Sequence, residues 1–148
     1  MSSTPTVNGQ IIGQAHYATR AVLEQLLAPS GTTFHQGLAL NATADNGGTT
    51  ERAGLVARMT GSLKIDRATA DATLMELTAA GLLEELPGDG TRLTLTEAGR
   101  ERQEDIRTGT AAIAARLYAG LPAEDLAAAG RVLIALTARA NAVLAEAV

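Results

Sequence analysis

The sequence predicts a mainly α-helical protein interrupted by one short β-hairpin, and three observations carry that reading. Apolar residues recur at helical steps of three and four along most of the 148 residues. Aromatic residues make up only 2% of the chain although apolar residues reach 46%, so alanine and leucine, both good helix formers, must supply the packing. The turn-forming pairs Pro87-Gly88 and Asp89-Gly90 separate the two short runs that read as strands. A chain of this length is expected to fold as one unit, residues 1–148.

The first helix is read from Ile11 to Ala28, where Ile12, Ala15, Val22 and Leu26 fall at helical spacing and Thr19 fills the remaining step. Pro29-Ser30-Gly31 stops it. Thr32 or Thr33 offers the N-cap of a second helix through Phe34, Leu38 and Leu40, ending near Asp45-Asn46-Gly47-Gly48. A third opens at Thr50-Glu51-Arg52-Ala53, turns Leu55, Val56 and Met59 inward and runs out near Gly61. After the turn Leu63-Lys64-Ile65, Asp66 caps a fourth helix with the buried stripe Ala70, Leu74 and Leu77, ended by Gly81. Leu82–Leu86 and Arg92–Thr96 form the hairpin.

A long fifth helix starts at Thr96-Glu97-Ala98-Gly99, passes Ile106, Ile113 and Leu117 with a mild interruption at Gly109, and closes at Gly120. Pro122 sits favourably in the first turn of a sixth. There Ala129, Leu133, Leu136, Ala140, Val143 and Ala147 alternate steps of four and three, a heptad stripe that a lone helix cannot bury. It packs either on the first and fifth helices of its own chain or on a second copy. Stripes on helices at both chain ends favour the second copy, hence a homodimer.

The absence of cysteine removes disulfides, thiol nucleophiles, zinc–cysteine sites and iron–sulfur clusters. No serine lies in a strand–turn–helix elbow and no glycine-rich phosphate loop follows a strand, so Gly47-Gly48 is read as a turn and no cofactor is expected. No stretch is read as reaching the roughly 20 apolar residues of a membrane span. The start MSSTPTVNGQ has neither a basic opening nor an apolar signal core, so a cytoplasmic protein without a membrane partner is expected. The net charge of −4 runs against the basic surplus usual in proteins that neutralise phosphates.

Three segments resemble the MarR family of winged helix-turn-helix regulators. Thr33-Phe34-His35-Gln36-Gly37-Leu38-Ala39-Leu40 looks like that family's second helix. Asp66-Arg67-Ala68-Thr69, followed by Glu76-Leu77-Thr78-Ala79-Ala80-Gly81-Leu82, looks like its recognition helix, and Leu95-Thr96-Glu97-Ala98-Gly99-Arg100 resembles its signature where the wing passes into the fifth helix. The resemblance spans nearly the whole chain. It implies a winged helix-turn-helix over 32–96 with a short hairpin wing, dimerisation helices over 8–31 and 97–148, and two recognition helices addressing successive major grooves of a palindromic operator. It further implies a repressor whose DNA binding a small aromatic or anionic ligand weakens.

On a helical wheel the fourth helix turns Ala68, Thr69, Ala72, Met75 and Glu76 outward, with no arginine or lysine among them, whereas family members commonly place basic residues near the positions of Ala72 and Glu76. From Thr50 to Thr96 there are five basic residues against seven acidic ones. DNA affinity would then rest on Arg58, Lys64, Arg67 and Arg92, assisted by the hydroxyls of Thr69 and Thr73. His16 and His35 are the only histidines. His16 and Arg20 lie one turn apart beside Tyr17, and with Phe34 and His35 they are the candidate ligand-binding group for a carboxylate or phenolate. The spacing of the histidines gives no metal-ligand pattern, and an enzyme is not the first expectation. The alternative is a scaffold that has lost DNA binding and uses His16 or His35 to bind a small molecule or as general acid/base.

Overall fold

In the computed structural model, which describes residues 4–147, Asn8 caps α1 (Gly9–Leu27) by accepting the Ile11 N–H at 2.9 Å. The apolar stripe expected on α1 is not the face that enters the core. Leu27 is buried and Leu23 packs against the core, whereas Ile12, Val22 and Leu26 are half-buried and Ala15 and Thr19 are exposed. A short 3-10 turn over Ala28–Ser30 then leads to α2 (Phe34–Asp45). Of the two candidate caps, Thr33 is the one used: its hydroxyl accepts the Gln36 N–H while the Gln36 side chain accepts the Thr33 N–H, a reciprocal capping box.

Thr50 and Glu51 do not open the third helix. They belong to β1 (Thr49–Glu51), a strand the sequence reading missed because three residues leave no alternation to detect. α3 (Arg52–Leu63) follows and turns Leu55, Val56 and Met59 into the core as expected. Lys64 ends it at φ 58°, and Asp66 caps α4 (Arg67–Ala79), which buries Ala70, Leu74 and Leu77 completely.

The wing consists of β2 (Leu83–Leu86) and β3 (Asp89–Leu95), and β3 also pairs antiparallel with β1, giving the order β1-β3-β2. Its turn is shorter than expected. Leu86 pairs directly with Asp89, so Pro87 and Gly88 make the bend and Gly88 takes φ 78°, a backbone state that other residues adopt at a cost. Leu93 and Leu95 on β3, with Leu82 and Leu83, join the α2–α4 leucines in one core.

α5 (Glu97–Tyr118) buries Ile106, and its Arg102 donates to the Thr32 hydroxyl at 2.8 Å, tying the helix to the α1–α2 junction. The chain divides within α5 into two compact units, one through Ile113 and one from Ala114. The second unit contains α6 (Ala123–Glu146), none of whose residues is buried. Ile134 and Val143 are 74% and 63% exposed, and Leu133 and Leu136 are also open. Contrary to the sequence expectation, α6 is long and apolar enough by length and composition to cross a membrane. Val148, the last residue of the expected dimerisation segment, lies outside the described residues, as do the first three of the opening ten.

Candidate nucleic-acid interface

The capping of α4 fixes where its first turn points. The Asp66 carboxylate accepts the Thr69 N–H at 2.7 Å. The Thr69 hydroxyl and then the Thr69 amide hold the Asp66 carboxyl below its ordinary value. Behind this turn, Ala70, Thr73, Leu74 and Leu77 are buried, so the helix has a well-defined inner side. Its outer side carries Ala68, Thr69, Ala72, Met75, Glu76 and Ala79, all exposed, with Met75 at 65%.

The six residues expected to touch DNA are not equivalent. Arg67, at the start of α4, has an 84% exposed side chain and only a long ion pair of 3.9 Å with Asp71. Lys64 lies exposed in the turn just before that helix. Arg92 is exposed on β3, where it stands across from Glu51 of β1 and near Asp89. Arg58, by contrast, is held by Asp45 at 3.2 Å, so its charge is already matched at the end of α2. Thr73 is a correction: it lies on the buried side of α4 and its hydroxyl donates to the Thr69 carbonyl at 2.9 Å, which withdraws it from the outer face. Thr69 keeps its place there but its hydroxyl is turned to Asp66.

One cation was passed over. Arg52, the first residue of α3, joins Arg67 around an open cleft of about 250 Å³ that also meets Glu51, Asp71 and the wing residues Gly90 and Thr91. The signal available in the sequence was its place at a helix start, where backbone amides and a guanidinium converge.

The base of the wing is built from the Leu95–Arg100 segment. Thr96 caps α5: its hydroxyl accepts the Gly99 N–H at 2.9 Å and donates to the Gly81 carbonyl at 2.6 Å, while the Thr96 N–H reaches the Leu82 carbonyl at 3.2 Å. One threonine thus joins the end of α4, the root of β2 and the start of α5. This explains why Thr and Gly stand three residues apart there.

The candidate ligand residues separate into two groups. Arg20 stacks over the Phe34 ring at 4.1 Å and pairs with Glu24 at 3.0 Å, so guanidinium and ring already form one surface. His16 meets Tyr17 edge-on at 5.4 Å, and Tyr17 is 70% exposed. His35 packs beside Phe34 at 5.8 Å, yet it also lines an open depression of about 450 Å³ together with Thr69, Ala72 and Glu76 of α4. The α2 start and the outer side of α4 therefore share a wall, a link not visible in the sequence. Among the described residues, no group of three or more acidic or histidine side chains is placed to hold a metal ion.

No protein-family model matches the sequence, and no curated protein matches it either. Solved structures do. BpsR of Bordetella bronchiseptica, described with a mechanism for regulation of its DNA binding by 6-hydroxynicotinic acid, superimposes with TM-score 0.71 at 23% identity, covering 93% of this chain and 97% of that one. A mutant MarR from E. coli complexed with operator DNA gives 0.70 at 20% identity, covering 86% and 91%. A MarR-family transcriptional regulator from Rhodococcus sp. RHA1 gives 0.72 at 18% identity, covering 87% and 92%. With six α-helices and a three-stranded antiparallel sheet that carries a hairpin wing among its described residues, this chain has the winged-helix fold of the MarR-family regulators.

Proposed function

We propose that this chain is a DNA-binding transcriptional regulator, a cytoplasmic homodimeric repressor that addresses a palindromic operator and responds to a small aromatic or anionic ligand. The observation that carries the reading is the outer side of α4, exposed over its length, with Lys64 in the turn before it, Arg67 at its start and Arg92 exposed on the wing, in a fold shared with a protein solved on operator DNA. The unburied heptad face of α6 supports the dimer, because an apolar stripe of that length seeks a partner. Arg131 and Arg139 within α6 favour a helix–helix contact over a membrane span. The Arg20–Phe34 pair supports a ligand of matching chemistry: a carboxylate for the guanidinium and a ring for the aromatic face.

An electrophoretic shift of the purified protein on duplexes from upstream of its own coding sequence, at low salt, tests this. Specific complexes that weaken in Arg67→Ala and Arg92→Ala are expected. The acidic balance of the 50–96 segment, seven carboxylates to five cations, favours a second reading in which the scaffold binds a small molecule and no DNA. That reading replaces the first if neither substitution alters DNA affinity while His16→Ala abolishes ligand binding.

A further inference from the structure

The outer side of α4 also bears on which bases such a regulator would read. Across the two helical turns that face away from the core stand Ala68, Ala72, Met75 and Ala79, edged on one side by Thr69 and Glu76. No cation stands among them, and the helix's own guanidinium, Arg67, belongs to its first residue and pairs at 3.9 Å with Asp71. Guanine is read in the major groove mainly by arginine or lysine donating to its O6 and N7, and that donor is absent from this face. What the face does offer is a flexible thioether, three methyl groups and one carboxylate acceptor. In the major groove the complementary groups are the thymine 5-methyl, which takes an apolar contact, and the cytosine amino group, which donates to a carboxylate.

We propose that the operator half-site is read through thymine methyls by Met75 and Ala72 and through a cytosine amino group by Glu76, rather than through guanine. This rests on the regulator reading above. Glu76 then has a positive role: beside phosphates it repels any duplex, and only a base donor at its position offsets the repulsion, so a carboxylate here selects against wrong sequences as much as it selects a right one. Met75 suits the other half of the task, since its unbranched side chain adapts to a methyl without a fixed rotamer.

The test begins with selection of bound duplexes from a randomised pool by the purified full-length protein. The enriched half-sites are expected to contain thymine and cytosine at the positions under α4. Replacing those thymines by deoxyuridine removes only the 5-methyl, and each methyl lost should weaken binding about fourfold, the worth of one buried methyl-sized group. In Met75→Ala, an exposed helix position that tolerates alanine, the penalty for deoxyuridine should vanish at the thymine under Met75 and persist at the one under Ala72. Glu76→Gln should shift selection at its position from cytosine towards adenine, which glutamine can bond twice. Half-sites that lose binding when their guanines are replaced by 7-deazaguanine, which removes only the N7 acceptor, or thymine and deoxyuridine duplexes that bind equally to the unaltered protein, overturn this proposal and leave the regulator reading standing. A Glu76→Gln variant that gains affinity equally for every sequence overturns the role of Glu76. A pool from which nothing is enriched overturns both the proposal and the regulator reading.

Discussion

Gly99 and Leu82 meet so closely that a β-carbon on Gly99 would lie 2.0 Å from the Leu82 carbonyl oxygen and 3.3 Å from a Leu95 methyl. The first turn of α5 is thereby pressed onto the root of the wing, and the obstacle is backbone, which cannot rotate aside. Gly99→Ala is expected to cost about 3 kcal/mol, near the upper end for a core forced to accept one extra methyl. Urea unfolding followed by circular dichroism measures it. A variant as stable as the parent would mean that α5 and β2 can separate without loss.

Acid should weaken the start of α4 and the wing. Asp66 is held below its ordinary value by the Thr69 hydroxyl and amide, and Asp89 by the Thr91 hydroxyl and amide. A carboxyl whose folded pKa is depressed adds stability above its unfolded pKa, and that contribution is lost as pH falls through the folded value. The loss should therefore set in below the ordinary value of 3.8 and not between neutrality and mild acid. Urea midpoints measured from neutral pH down into this range should fall less in Asp66→Asn than in the parent.

The open stripe of α6 makes a prediction about assembly. Leu133 and Leu136 are 43% and 37% exposed in the chain as it stands. Leu133→Glu with Leu136→Glu should convert a dimer to a monomer in sedimentation velocity while retaining the helical signal of the first unit. A parent protein that is monomeric at micromolar concentration would remove the basis for paired reading heads.

Most of the fold was legible because its signals are long. The α4 stripe Ala70, Leu74 and Leu77 has helical period and a capping aspartate, and every one of those side chains is buried where expected. β1 was illegible for the opposite reason: it is three residues long and owes its existence to pairing with β3, a contact over 40 residues away along the chain. Site residues divide in the same way. That Arg67 is exposed follows from its place at the helix start, whereas the engagement of Arg58 by Asp45 is a tertiary contact that no local pattern announces. Thr73 was named as an assisting hydroxyl by its chemistry, although its position one before Leu74 and four before Leu77 already put it near the inner side.

The pairing of Arg20 with Glu24 predicts a competition. An aromatic carboxylate such as benzoate, seated on the Arg20–Phe34 surface, must share the guanidinium with Glu24. Glu24→Gln should raise benzoate affinity by up to about fivefold, the range of a partly exposed ion pair, and Arg20→Ala should abolish binding. Titration calorimetry reads both. Unchanged affinity in Arg20→Ala would place the ligand elsewhere.

The salt dependence of DNA binding tests the account most directly. With Arg58 held by Asp45, the exposed Arg67 and Arg92 of two copies meet about four phosphates, for a slope of log affinity against log salt of about −4. Fluorescence anisotropy on a selected duplex should give that slope, reduced by about 2 in Arg67→Ala, where both copies lose a contact. A protein that leaves every duplex unbound in dilute buffer, or binds with no dependence on salt, would contradict it.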